Sequence, residues 1–261
     1  MTDIGVRPVK SAVHAIEVLE FLAGRQDEPA RMREIADATG IPRSSLYALL
    51  RTLTERGWVR RDPTGTLYGV GLRALMAGMS YLDSDPALRM VKPWLERLNE
   101  ELGETVHVGR LDGADIVYLA TKESSQYLRV INRVGRRLPA STTSLGKALL
   151  AAQPASELDE HLRHPLPRIT EHTITDRDAL ESDLDAIRAR GYAIDLEENT
   201  TGLKCFGFAL HYTNPAIDAI SCSVPLARLT PEREKTIVEV MAATVAEIER
   251  QAPRLGELAG F

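Results

Sequence analysis

With only two cysteines in 261 residues, Cys205 and Cys222, the chain has no disulfide framework to fold around, and one bridge is the most it can form. No secretory h-region marks its start, so the expected setting is the reducing cytoplasm. It also lacks any apolar run near the roughly 18 residues of a membrane-spanning helix, which predicts a soluble protein with no membrane partner. Enzyme signatures are scarce. There is no G-x-S-x-G elbow, and Gly146-Lys147 is followed by Ala148 and lacks the upstream glycine of a phosphate loop. His161 and His164, three apart, have no cysteine or carboxylate pair to complete a metal site and read as surface residues. Catalysis, a resident metal and a cofactor are therefore not expected.

An overall basic charge is missing too: the formal net charge is −5. That argues against a nucleic-acid partner until the charge is divided along the chain. Residues 1–72 carry 10 Lys+Arg against 9 Asp+Glu, whereas the remainder carries 22 against 28. Residues 43–61 hold five arginines and a single acid, Glu55. This local basic charge ahead of an acidic remainder is the footprint of a small DNA-reading module joined to a domain with another task.

What is present is organised around residues 32–56, MREIADATGIPRSSLYALLRTLTER. Leu46, Leu49, Leu50 and Leu53 recur at helical spacing, and Ile35 and Ala36 give the preceding helix its inner face. Gly40 ends that first helix, since a sharp exit needs the left-handed conformation glycine tolerates, and Pro42 fits a first helical position. The pair reads as a helix-turn-helix. Its second helix turns out Arg43, Ser44, Ser45, Tyr47 and Arg51, all able to donate hydrogen bonds to bases or phosphates in a major groove. An ordinary helical hairpin with a polar face is the alternative. Trp58-Val59, the turn Asp62-Pro63-Thr64-Gly65 and Leu67-Tyr68 follow as a β-hairpin, a wing on which Arg60 and Arg61 reach toward a phosphate or the minor groove.

Upstream, residues 1–8 carry no pattern and read as a mobile tail. Val13, Ile16, Leu19, Leu22 and Ala23 mark an amphipathic helix ended by Gly24. Downstream, Leu72, Leu75, Met76, Met79 and Leu82 form a stripe too narrow to be a core, which suits a linker helix pairing with its copy in a dimer. Ser84-Asp85-Pro86 restarts a helix that ends at Gly103. Strands are expected at 105–111, 115–120, 126–132, 192–196, 203–211 and 216–224, with helices opening at Ser141–Ser144, Thr175-Asp176 and Thr230-Pro231. The domain plan is a tail at 1–8, a winged helix at 9–71, a linker helix at 72–85 and an α/β domain at 86–256. The fold class is α+β.

The last two strands locate a site. One face of each carries Phe206, Phe208 and Leu210 or Ile220, Cys222 and Val224; the other carries Cys205, Gly207 and Ala209 or Ala219, Ser221 and Ser223. Large pairs with large to build a core, leaving a bare face for a covering helix or a small ligand. The hydroxyl run Ser141–Ser144 either caps its helix or, at the free N–H groups of that end, meets an anion. Asp195, Glu197 and Glu198 cluster after a strand, the two glutamates reading as solvated.

The motifs RRLPASTTSLGKALLA, EHTITD, RGYAIDLEENTTGLKC and AISCSVP, together with the helix-turn-helix, resemble the IclR family of bacterial transcription regulators over about residues 9–255. The resemblance implies a winged helix-turn-helix, a GAF-like effector domain, assembly as a dimer or dimer of dimers, and operator DNA binding switched by a small metabolite, often an organic acid. It places effector contacts at Thr143, Ser144, Leu145, Asp195, Cys205, Ser221 and Ser223. Glyoxylate-type members carry Gly-Ala where this chain has Ser144-Leu145, which narrows one wall and favours an aromatic or sugar acid. Such regulators commonly control a neighbouring catabolic operon. The rival reading is an enzyme or scavenging binder using the same pocket, with the winged helix making protein contacts.

Overall fold

The computed structural model of the chain describes residues 7–25 and 28–252. Most of the expected tail and the last residues of the expected effector domain, 253–256, lie outside that description. The described residues form two compact units, divided between Ser84 and Asp85.

In the first unit, α1 (Lys10–Gly24) packs on α2 (Met32–Thr39) and α3 (Arg43–Glu55). Leu46, Leu50 and Leu53 of α3 meet Ile35 and Ala36 of α2, and Val18 and Leu22 of α1, in one apolar cluster. The helix-turn-helix geometry comes from Gly40, the α2 C-cap, whose φ of 67° is the left-handed value its position requires. Pro42 stands one residue ahead of the first helical residue instead of at it. The α1 stripe is also shifted: Val13 and Ile16 are exposed, and Ala15, Val18 and Leu22 turn inward. The helix is apolar on two sides, so periodicity marked it without deciding which side packs. Strand β2 (Val59–Arg61) pairs with β3 (Leu67–Val70) as the expected hairpin, and a two-residue strand, β1 (Ala30–Arg31), adds to its other edge. The wing turn is built on Asp62, whose carboxylate accepts from the N–H groups of Thr66 and Leu67 at 2.7 Å each. These bonds and the Thr64 hydroxyl, the largest contributor, hold its pKa down to about 2. α4 (Leu72–Ser84) follows, with no buried residue.

The second unit is one six-stranded antiparallel sheet. α5 (Pro86–Leu102) is capped by Asp85 and closed by Gly103 at φ 66°. It leads into β4 (Thr105–Asp112) and β5 (Asp115–Lys122), then β6 (Arg137–Pro139) and α6 (Ser144–Ala152). α7 (Arg177–Arg190), β7 (Ala193–Leu196), β8 (Leu203–Leu210), β9 (Asp218–Pro225) and α8 (Pro231–Gln251) complete it. The strand order is β6-β5-β4-β9-β8-β7. α5 and α8 cover one face, and α6 the other, with α7 packed on α6.

The alternation in β8 and β9 decides which face is which. Lys204, on the Phe206–Phe208 side, pairs with Glu234 of α8 at 2.7 Å. On the small-residue side, a Cβ added to Gly207 would stand 2.2 Å from the Ser144 carbonyl oxygen. Only a glycine there lets α6 approach so closely. The bare face therefore carries a covering helix over part of its length and leaves the remainder uncovered.

The strand expected at 126–132 is not formed. Its backbone is held by side chains instead: Thr105 Oγ1 donates to the Val130 carbonyl at 3.2 Å and Arg228 Nη1 to that of Leu128 at 2.6 Å. Tyr127, Leu128 and Ile131 are exposed. A run of β-branched and aromatic residues looks like a strand, but propensity yields where no partner strand is in reach.

Candidate functional sites

On the first unit, the outward face of α3 is as the helical period requires. Arg43, Ser44, Ser45, Tyr47 and Arg51 are all exposed, with Tyr47 58% accessible. Arg43 opens the helix. Arg51 is already engaged by the lone acid of the region, its Nε 2.8 Å from Glu55 Oε1. The two wing arginines are not equivalent. Arg61 donates through Nε to the Gly65 carbonyl at 2.6 Å and lies over the Tyr68 ring, so it braces the turn. Arg60, exposed and opposite Gly69 in register, has no such bond to the turn.

In the second unit, register aligns the expected residues in rows. Asp195 pairs with Cys205, Cys205 with Ser223, and Ser223 with Thr105, so four strands place four polar groups in one line across the sheet. The next row on that face runs Ala193, Gly207, Ser221, His107 and Thr121. Thr143, the α6 N-cap, and Ser144 close the space from above. Asp195, Cys205, Ser223, Ser221 and His107 of these rows, with Thr143 and Ser144, line a cavity of about 30 Å³, enough for a water molecule or two. Val130 and Asn132 of the irregular segment, together with Arg136, form part of its wall.

Leu145 does not line this cavity. It is 1% exposed in the apolar cluster under α6, its Cδ1 over Gly109, so the narrowing expected from Leu145 does not arise at this wall. At its position in the first turn of α6 the helix turns the side chain toward β4 instead of β8. His107, Tyr118, Asn132 and Arg136 join the site without having been singled out in the sequence. His107 sits in the alternation of β4 with Thr105 and Gly109, the same small-against-large signal used for β8 and β9. Arg136 opens the RRLPAS motif.

Burial sets the charges. Asp195 is 4% exposed, and desolvation, then the nearby Glu198, raise its pKa to about 7 despite bonds to its Oδ1 from the N–H groups of Glu198 at 2.8 Å and Asn199 at 3.3 Å. Burial and the Arg136 charge lower His107 to about 3, so its ring is neutral; Nδ1 lies 3.0 Å from Thr121 Oγ1. Burial pushes the Cys205 thiol well up, and Cys222 points to the opposite face, so the two do not bridge. Glu198 was expected in a solvated loop but is buried. Lys147 of α6, 1% exposed, binds its carboxylate and that of Asp183, the latter at 2.7 Å. Glu198 Oε2 has no partner. Sequence gave no sign that Lys147 turns into the protein, because a lysine on a short helix is ordinarily solvated.

A roomier groove, about 640 Å³, lies between α8 and the edge strand β7 with its neighbour β8. Its two lysines are already paired, Lys204 with Glu234 and Lys235 with Glu239, whereas the small cavity gathers hydroxyls, a neutral imidazole, a carboxyl and a guanidinium. Size favours the groove and chemistry the cavity; recognition of a small polar molecule depends on chemistry. Among the described residues no group of three or more His, Cys, Asp or Glu is placed to hold a metal ion.

Comparison with known proteins fits this division. Residues 11–63 match the IclR helix-turn-helix domain and residues 79–250 the C-terminal domain of bacterial IclR transcriptional regulators. The chain is 32% identical to the transcriptional repressor AllR of Klebsiella pneumoniae, over 94% of this chain and 89% of that protein. It is 31% identical to the regulator XynR of Escherichia coli, over 85% and 88%. A crystal structure of a transcriptional regulator from Rhodococcus, 32% identical, superposes with a TM-score of 0.78 over 95% of this chain and all of that one. The chain belongs to the IclR family of bacterial transcriptional regulators.

Proposed function

We propose that this regulator holds an operator through α3 and the β2–β3 wing, and that a small organic acid bound in the cavity beneath α6 changes that hold. The observation that carries the second half is the row Asp195, Cys205, Ser223 and Thr105, met by Ser221 and His107 from the next row. Gathered on one buried sheet face, these groups offer a small polar ligand several hydrogen-bonding partners at once. The cavity as it stands has room only for a water molecule or two, so the acid enters when the irregular segment at 126–132 gives way while Arg136 stays bonded to β5.

DNA binding is carried by Arg43, Ser44, Ser45 and Tyr47 as base or backbone readers, with Arg51, Arg60 and Arg61 on phosphates. The working form is a homodimer, or a dimer of dimers, in the cytoplasm. Leu72, Leu75, Met76 and Met79 line α4 and are 46–70% exposed, an apolar stripe suited to a second copy. Two reading heads about a two-fold axis call for a (pseudo)palindromic operator. AllR and another relative, the E. coli protein IclR, are named repressors; we adopt repression of a neighbouring catabolic operon, relieved by the acid, with no catalytic step. The test is titration of the chain against the duplex upstream of its own gene and a shuffled duplex, in graded salt. Specific binding with a steep salt slope is expected. Equal, salt-insensitive binding to both would reject the reading.

A further inference from the structure

Within the cavity one group is out of balance. Arg136 is held by its backbone, its carbonyl accepting from Tyr118 N–H at 3.0 Å, and its side chain gives Nη1 to Asn132 Oδ1 at 3.3 Å. Among the described residues no carboxylate forms an ion pair with it, although most arginines of this unit are paired, as with Arg110 and Asp218 or Arg163 and Asp115. The other cation near the site, Lys147, is used up by Glu198 and Asp183 behind α6. The donors at the head of α6 are partly used as well: Gly146 N–H goes to Thr143 Oγ1 at 3.0 Å and Lys147 N–H to the Thr143 carbonyl at 2.9 Å.

Resting on the reading of this cavity as the effector site, we infer that Arg136 anchors the effector's carboxylate and that the ligand runs along the sheet to place a hydroxyl or keto group at Asp195. Arg136 is held in the β6 position beside β5 and Asp195 lies on β7, the opposite edge of the sheet, and both side chains line the one cavity. Both side chains reach inward, and Ser221 and Ser223 floor the interval. The ends differ in kind. A guanidinium is a permanent fork of donors that matches a carboxylate. Asp195, raised to about 7, can donate to a carbonyl or accept from a hydroxyl near neutrality. His107, kept neutral between them, adds no competing positive charge. The ligand class is a monocarboxylic acid with one polar substituent at its far end. This is the reverse of an arrangement with the carboxylate on the α6 N-terminus.

Cys205 on the cavity floor gives a test that needs no knowledge of the effector. In a Cys222→Ala background, Cys205 is labelled with three methanethiosulfonates: neutral methyl, anionic sulfonatoethyl and cationic trimethylammoniumethyl. In each the thiolate attacks the sulfenyl sulfur, forming a mixed disulfide and expelling methanesulfinate. The anionic-to-cationic rate ratio is expected to fall about tenfold in Arg136→Gln, as loss of one partly screened charge within several Å requires, and to be restored in Arg136→Lys. Arg136→Gln retaining the wild-type ratio, while the neutral reagent still reacts, would overturn the anchor and leave the cavity standing. Labelling by all three reagents only as fast as the chain unfolds would instead show that the cavity does not admit small molecules. That result would remove the effector site itself and the anchor with it.

Discussion

The polar residues of α3 and those of the cavity differ in what folding demands of them. Arg43, Ser44, Ser45 and Tyr47 lie in solvent, where they cost folding almost nothing and keep their donors for a partner. His107, Asp195, Ser221 and Ser223 are each 5% exposed or less, so their desolvation must be offset within the unit. Substitutions on α3 should therefore change binding and leave stability alone. Those around the cavity should move both.

The largest expected effect is Lys147→Met. It leaves the buried Glu198 without its cation, Asp183 keeping only Arg190 at 3.5 Å, at a cost of about 3–5 kcal/mol in urea unfolding. Adding Glu198→Gln should recover part of that loss, and no recovery would show that Lys147 acts by packing alone. Next is Gly207→Ala. A methyl 2.2 Å from the Ser144 carbonyl must push the head of α6 off the sheet, costing about 1–3 kcal/mol and disturbing the cavity. A variant as stable as wild type would mean that α6 sits less closely on β8.

The pH dependence is specific to Asp195. Its pKa is raised on folding, so the folded chain binds the proton more tightly than the unfolded chain. The stability this contributes is complete below about pH 4 and is lost as pH rises through about 7. Asp195→Asn should remove that decline, seen as a wild-type-minus-variant stability difference that grows less favourable from about pH 4 to 7. A difference flat across that window would contradict the burial argument.

On the exposed side, Arg43→Ala should cost about 1–3 kcal/mol of operator affinity and relax preference at one base pair, with an unchanged melting temperature. Equal losses on operator and random duplex would remove Arg43 from base reading. Smallest is Arg60→Ala, which should weaken all sequences alike and lower the salt slope by about one.

The contrast between the two regions also sets how far each was legible in the sequence. α3 and the wing rest on local rules: leucine spacing, Gly40, and a turn built by Asp62. The outward residues follow from the period alone. The cavity depends on register between distant strands. Alternation in β8 and β9 exposed its floor, since Cys205, Ser221 and Ser223 share a face whatever their partners. The wall was not legible: Asn132 ends a segment whose composition suggests a strand, Arg136 opens a motif whose place beside β5 no local rule gives, and His107 gains meaning only when β4 falls beside β9. Leu145 shows the limit of family likeness, because a neighbour of Ser144 along the chain points to a different cluster.

The central claim is that reading and sensing belong to separate sets of residues joined by coupling. The direct measurement is operator affinity of wild type and Ser221→Leu, with and without a monocarboxylate chosen because it raises the wild-type melting temperature. The substitution fills the cavity floor and leaves every residue of α3 unchanged. Both proteins should bind the operator equally without the acid, and the acid should weaken binding of wild type alone, by the equivalent of about 1–3 kcal/mol. A folded Ser221→Leu that binds the operator and still responds fully would place the effector elsewhere and contradict the account.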